Sequence, residues 1–517
     1  MAAAVVMLAG LSAVVITLVP LSSDRLKARI AASLGEKLDS EVEIGALSLR
    51  VWPGLHVDGA SLVIRQNGRR DVPPLIGVRG FTVDATVSDL WHHRVSRVTL
   101  DGLDIEIPPE RAPAPADGAA PATASRAPAN VAGSLRAGAK DYVIDRLEAT
   151  DARLVIIPDR PDKAPRVWAI HTLAMRRVAA ESAMPFQATL TNAIPPGEIE
   201  TAGTFGPWQR DEPGRTPLQG TYTFRKADLS VFHGIAGTLS STGTFTDRLN
   251  HIDVTGETDT PDFTILVSGH PFPLATRFHT IVDGTNGDTT LERIDATFIE
   301  SSLVAHGKVV QTPGHHGRTV ALDITMDRAR LEDVMRMAVK ANRPPMVGGL
   351  KMTTTFVLPP GENDVVDRLR LSGRFAISRA RFTSPEVQTK INELSHRSRG
   401  RDADAPKDTV VSDFTGTFAL GGGRLSLPSF AFAVPGAQVK LTGRYAIKPE
   451  LVDFHGDLLM DARVSDTQTG LKRLLLKVVD PLFRKAGGGS TIPIKITGSR
   501  GNPSFGVDMH RVFHRGS

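Results

Sequence analysis

Cysteine is absent from this 517-residue chain. That excludes disulfide staples, thiolate metal centres and a cysteine nucleophile. Absent too is a charge imbalance that would draw a nucleic acid: 61 Lys and Arg stand against 56 Asp and Glu, with no dense basic run. Such a small surplus suits, at most, contact with anionic lipid headgroups. There is no G-x-S-x-G elbow, P-loop, H-E-x-x-H or helix-opening G-x-G-x-x-G. His92 with His93 and His315 with His316 are adjacent pairs. Neighbours on a strand point to opposite faces, so they read as loop or surface histidines, not as ligands of one metal. Asp283, Asn286 and Asp288 in DGTNGDTT (283–290) lack the spacing of a calcium loop and read as a turn. AGGGSTIP (486–493) is glycine-rich but has no Lys and opens no helix, so it reads as a step between a helix and a strand. No enzyme, metal or cofactor is expected.

What is present begins with a charge-free apolar stretch at 2–21, long enough to span a bilayer and longer than the apolar core of a cleaved leader. It is expected to be an uncleaved anchor. No Lys or Arg precedes it, whereas Arg25, Lys27 and Arg29 follow, so the charge rule alone would place the body in the cytoplasm. Residues 22–40 form a candidate amphipathic helix, with Leu26, Ile30, Leu34 and Leu38 on one stripe and Ser23 or Asp24 as N-cap.

From 41 the period changes to two. Leu47, Leu49 and Val51 alternate with Ser48 and Arg50; Val98 and Leu100, then Leu103, Ile105 and Ile107, alternate with Thr99, Asp101, Asp104 and Glu106. Short runs ending in Gly, Asp, Asn or Pro point to consecutive antiparallel hairpins. The expected order is a β region at 41–107, a Pro/Ala-rich disordered insert at 108–133, repeated hairpins over 134–460, and a helix with final strands over 461–517. Helical interruptions are expected at 328–341, 384–398 and 470–487.

SFAFAVPGAQVKLTGRYAI (429–447) shows the pattern most plainly. Phe430, Phe432 and Val434 share a face before a Pro-Gly turn; Ala437, Val439, Leu441, Tyr445 and Ile447 share one after it. An apolar face needs a cover. With few helices available, either a second sheet covers it, giving closed sandwiches, or the sheet curls into an open trough. Alternation is the same in both. Phe298, Phe430, Phe432, Val439 and Leu441 are candidate groove-lining positions, with ordinary core packing as the alternative.

Several stretches are similar to the AsmA-like family of Gram-negative envelope proteins. They include EVEIGALSLRVWPGLHVDGASLVI, PPLIGVRGFTVDATVSDLWHHRVSRVTLDGLDIEI, RPPMVGGLKMTTTFVLPPG, INELSHRSRG, VPGAQVKLTGRY and LLLKVVDPLFRKAGGGSTIPIKITGSRGNPSFGVDM, in the family's order. The resemblance spans nearly the whole chain outside 108–133. It implies a mostly β protein with an inner-membrane anchor and a periplasmic body. It also implies an elongated, bent antiparallel β-groove with an apolar interior, a few amphipathic helices and one N-terminal transmembrane helix. The implied partners are phospholipid acyl chains and the inner membrane, in phospholipid transport or outer-membrane lipid homeostasis. Roughly 20 to 25 strands at about 4.8 Å would give such a groove a length on the order of 100 Å. The main alternative is an envelope assembly or scaffolding factor that engages outer-membrane β-proteins by strand addition. A hydrolase built on sandwiches is the weakest reading.

Overall fold

Alternating apolar and polar residues commit most of this chain to extended structure. The computed structural model accordingly contains 24 strands in a long, mostly antiparallel sheet, with few helices. It describes residues 27–28, 31–32, 40–50, 54–66, 74, 76–107, 143–156, 166–179, 181–209, 212–312, 317–338, 340, 342–361, 363, 365–399, 410–446, 451–461, 490–499 and 502–508. The expected anchor at 2–21, the insert at 108–133, the helix at 470–487 and the His315–His316 pair lie outside them. Among the described residues no helix is long and apolar enough to cross a membrane.

Among the described residues, α-helices interrupt the strands at α1 (Val87–Trp91), α2 (Leu331–Ala338), α3 (Val365–Arg368) and α4 (Pro385–Ser398). The helix expected at 328–341 is shorter than its pattern, because residues up to Arg330 stay in the strand Arg318–Arg330. The helix expected at 384–398 is α4. One pairing departs from the expected run of antiparallel hairpins. Arg94–Ile107 and Val143–Ile156 pair in parallel, with Arg94 beside Val143 and Ile107 beside Ile156. A tight hairpin cannot join parallel neighbours, but the long connection between these strands can bring the chain back.

The chain divides into two compact units. Unit 1, Met1–Ala227 with Ser240–Asp253, buries the apolar face of its strands up to Val178, while the row Ile170, Leu190, Ile199, Phe224 on the strands that follow is half-buried. Val57, Ile64, Val83, Val95, Val98, Ile144 and Val178 are each no more than 2% exposed. The cluster they form is made of strand side chains with Ala31 packed against it, while Lys27 Nζ donates to the Gly45 carbonyl at 2.9 Å. Residues 27–28 and 31–32 are helical, and the stripe residues Leu26, Ile30, Leu34 and Leu38 lie outside the described residues. The step in the alternation between Leu100 and Leu103 falls at Gly102, with the register to both neighbouring strands unchanged across it. Gly102 takes φ +63°, and both leucines are buried.

Unit 2, Asp228–Leu239 with Val254–Ser517, has its own apolar cluster, running from Phe272 and Phe298 to Val439 and Leu441. The Pro-Gly hairpin forms as the sequence indicates. Arg424–Val434 and Ala437–Ala446 pair antiparallel, with Gly436 at φ +87° in the turn. Gly443 lies inside a strand opposite Phe454. A Cβ there would sit 2.4 Å from Phe454 Cδ1, so the missing side chain is what lets the ring lie across the sheet.

Candidate functional site

Directly opposed residues in antiparallel strands share a face, so the register of unit 2 can be followed across the sheet as rows. One row runs Leu350, Ile377, Phe414, Phe432, Val439, Leu458. Its first five members are buried. A second row on the same face runs Leu322, Phe356, Leu371, Leu420, Leu425, Tyr445, Val452. Every member of that row is only half-buried. Six residues separate Ile377 from Leu371 and Val439 from Tyr445, which at strand rise is roughly 20 Å. The face is therefore apolar along its whole depth but closed at one end only.

Two helices close that end. α2 follows directly on Arg330, and its Leu331 is buried while Val334, Met335 and Met337 pack against the cluster. It is fixed by polar contacts at the strand ends. Asp333 Oδ2 accepts from the Glu300 amide at 3.1 Å and from Ser301 Oγ at 2.7 Å, and Glu332 Oε2 accepts from the Gly348 amide at 3.1 Å. Burial would raise the Glu332 carboxyl, yet its own amide, that of Gly348 and the Arg330 guanidinium together hold it below its ordinary value. α4 lays Ile391 and Leu394 against the cluster, and its Ser395 Oγ donates to the Pro435 carbonyl at 2.7 Å. Gln388 pins the same helix from both sides of its amide. Its Oε1 accepts from the Phe382 amide at 2.9 Å, and its Nε2 donates to the Val410 carbonyl at 2.8 Å.

Of the five positions singled out in the sequence, Phe298, Phe432, Val439 and Leu441 are buried, at 2%, 9%, 8% and 6% exposure. Phe430 is half-buried, facing Leu441 across the hairpin and leaning on Phe414 with ring centroids 5.8 Å apart. The structure brings Phe430, Phe432, Val439 and Leu441 together on adjacent strands, with Phe414 stacked 4.8 Å from Phe432. Phe298 belongs to the same cluster through Phe272, at 6.3 Å.

The half-open row was not singled out in the sequence, because its alternation is identical to that of the closed row. A usable signal existed, however. Both long helices follow strand ends at 330 and 382, so their cover falls at that end of the strands, not the other.

The opposite face is polar, with Lys351, Arg374 and Lys440 exposed. No group of His, Asp and Glu among the described residues is arranged to hold a metal ion. Asp283 is engaged within its own turn, accepting from the Thr285 amide at 2.9 Å and from Asn286 Nδ2 at 2.9 Å. His92 is exposed in the turn after α1. On the uncovered half of the face the apolar side chains of the second row are only partly buried. No family model, curated protein or solved structure matches this chain.

Proposed function

We propose that this protein is a membrane-anchored, periplasmic lipid-binding protein that contributes to phospholipid transport or outer-membrane lipid homeostasis, as the AsmA-like resemblance implies. The observation that carries the proposal is the half-buried row from Leu322 to Val452, set about 20 Å along the same face from the row that α2 and α4 cover. An acyl chain laid along the strands would meet this row at one end and Phe430 near the other. Each methylene taken from water would contribute about 0.8 kcal/mol. Those contacts are non-directional and repeat from strand to strand, so a chain can shift along the row without breaking any specific bond.

The experiment is site-specific photocrosslinking of the full chain in its host membrane. A photoreactive residue at Leu371 or Leu420 should give phospholipid adducts, and one at Lys351 or Arg374, on the polar face, should not. A folded protein with no lipid adduct at the apolar positions overturns the proposal. A second reading, an assembly factor acting by strand addition, draws on a separate observation. Among the described residues, Asn502–Val507 pairs on one side only, with Ser490–Ser499. Protein adducts from that edge, with no lipid at the open row, would favour it.

A further inference from the structure

Unit 1 carries a feature that an acyl-chain site does not use. Between the strands Ile76–Ala85 and Arg94–Ile107 the chain makes the single helical turn α1. Val87 and Trp91, four residues apart and so on one side of that turn, are 64% and 83% exposed. This is a built tip. Asp89 Oδ2 accepts from the Thr86 amide at 2.9 Å, from Thr86 Oγ1 at 2.7 Å and from Ser96 Oγ at 2.6 Å, and the Asp89 amide donates back to Thr86 Oγ1 at 3.0 Å. The turn thus holds two apolar side chains out in water on a fixed backbone.

Ser96 links the tip to a basic depression. An open cavity of about 600 Å³ is lined by Ser96, Asp84, Arg97, Asp145, Arg146 and Arg176. Register places Arg97 beside Arg146 and Arg146 beside Arg176, so three guanidinium groups stand in line on adjacent strands. Like charges opposite one another in a sheet are unfavourable unless something neutralises them. The carboxylates nearby are already engaged. Asp145 accepts from Arg94 at 2.6 Å and Asp84 lies 2.5 Å from His56 Nδ1. Glu148 stands 3.6 Å from Arg146. Arg97 and Arg176 have no ion pair among the described residues.

We infer that this rim of unit 1 docks on an anionic lipid surface, with Val87 and Trp91 seated at the headgroup boundary and the arginine row taking lipid phosphates. A soluble anion would need only the arginines. The exposed indole and valine on a rigid turn beside them are what a lipid interface accommodates. The inference stands without the acyl-chain row of unit 2, since it concerns where the molecule rests and not what it carries.

The absence of cysteine makes the test clean, because Val87→Cys introduces a single thiol at an exposed position. The full chain, labelled there with an environment-sensitive fluorophore, is inserted in vesicles of phosphatidylcholine with or without phosphatidylglycerol. In the anionic vesicles the emission should shift to the blue and be quenched by lipid-borne nitroxide. A label at Ile194→Cys, exposed elsewhere in unit 1, should stay in water. Arg97→Gln and Arg176→Gln should each lower the docked-to-free ratio about fivefold, and added salt should act in the same direction. Trp91→Ser should weaken docking while leaving the melting curve unchanged. A label at 87 that remains aqueous in anionic vesicles overturns the inference. So does one that moves equally in neutral vesicles, or together with the label at 194.

Discussion

The strands up to Val178 in unit 1 and the strands of unit 2 write their apolar faces in the same alternation and leave them in different states. The row Ile170, Leu190, Ile199, Phe224 of unit 1 is half-buried, as in unit 2. In unit 1, Val95, Val98, Ile144 and Val178 are wholly inaccessible, and the strands with Ala31 supply the cover. In unit 2 the cover is two helices, and it stops short. Phe414 and Phe432 are buried near α4, while Leu420 and Leu425 on the same two strands are only partly buried. A half-exposed Leu or Phe forgoes roughly 1 kcal/mol of burial. The five Leu and Phe residues of that row, with Tyr445 and Val452, leave several kcal/mol of possible burial unmade, on the order of 1 kcal/mol each. What differs is where the cover ends, not which residue types line the face.

Paired truncations give the largest effect by which this contrast can be broken. Ile144→Ala in unit 1 should destabilise by about 2–5 kcal/mol, since the cavity is enclosed on all sides. Leu371→Ala in the open row of unit 2 should cost about 1 kcal/mol or less, because water already reaches the site. Urea unfolding of the two variants reads the difference directly. Equal losses would mean that the open row is as closed as the core of unit 1.

Glycines sharpen the same contrast. Gly59 in unit 1 lies under the ring of Phe81, which is 3% exposed, and a Cβ would stand 2.0 Å from its Cζ. Gly421, at the uncovered end of the unit 2 strands, would place a Cβ with nothing within 4 Å. Gly59→Ala should therefore cost about 1–3 kcal/mol as overpacking, and Gly421→Ala should stay within about 0.5 kcal/mol. Thermal melts that rank them the other way would refute the packing of Phe81 over Gly59.

Much of the scaffold was legible in the sequence, for stated reasons. Period-two alternation marks strands, and the Pro435–Gly436 hairpin and α4 stand where turn chemistry and the helical repeat put them. The parallel pairing of Arg94–Ile107 with Val143–Ile156 was not legible, because alternation carries no strand direction. Nor was the role of Gly443. A glycine beneath a cross-strand Phe454 looks, in one dimension, like any loop glycine. The candidate site was half legible. Phe430, Phe432, Val439 and Leu441 share one apolar face, as their alternation indicates, but the sequence around them does not say that α4 covers their end and leaves Leu425 and Tyr445 only partly buried. Cover is a long-range property of segments far apart in the chain.

The smallest expected effect separates the units by their response to pH. In unit 1 the His56 imidazole is raised above its ordinary 6.5, first by its hydrogen bond to Asp84 and, against the opposing effect of burial and of Arg50, by the charges of Asp58 and Asp84. The folded state therefore favours the protonated ring. Its contribution is fully present below pH 6.5 and fades as pH rises through the folded value. In unit 2 the Glu332 carboxyl is held below its ordinary 4.5 despite burial. Its contribution is present above pH 4.5 and fades as pH falls through the folded value. Subtracting the stability–pH curve of His56→Gln from that of the parent should leave a gain that disappears on the alkaline side. The same subtraction with Glu332→Gln should leave one that disappears on the acid side. If both differences faded in the same direction, either the Asp84 contact to His56 or the amide cradle around Glu332 would not be what holds its unit together.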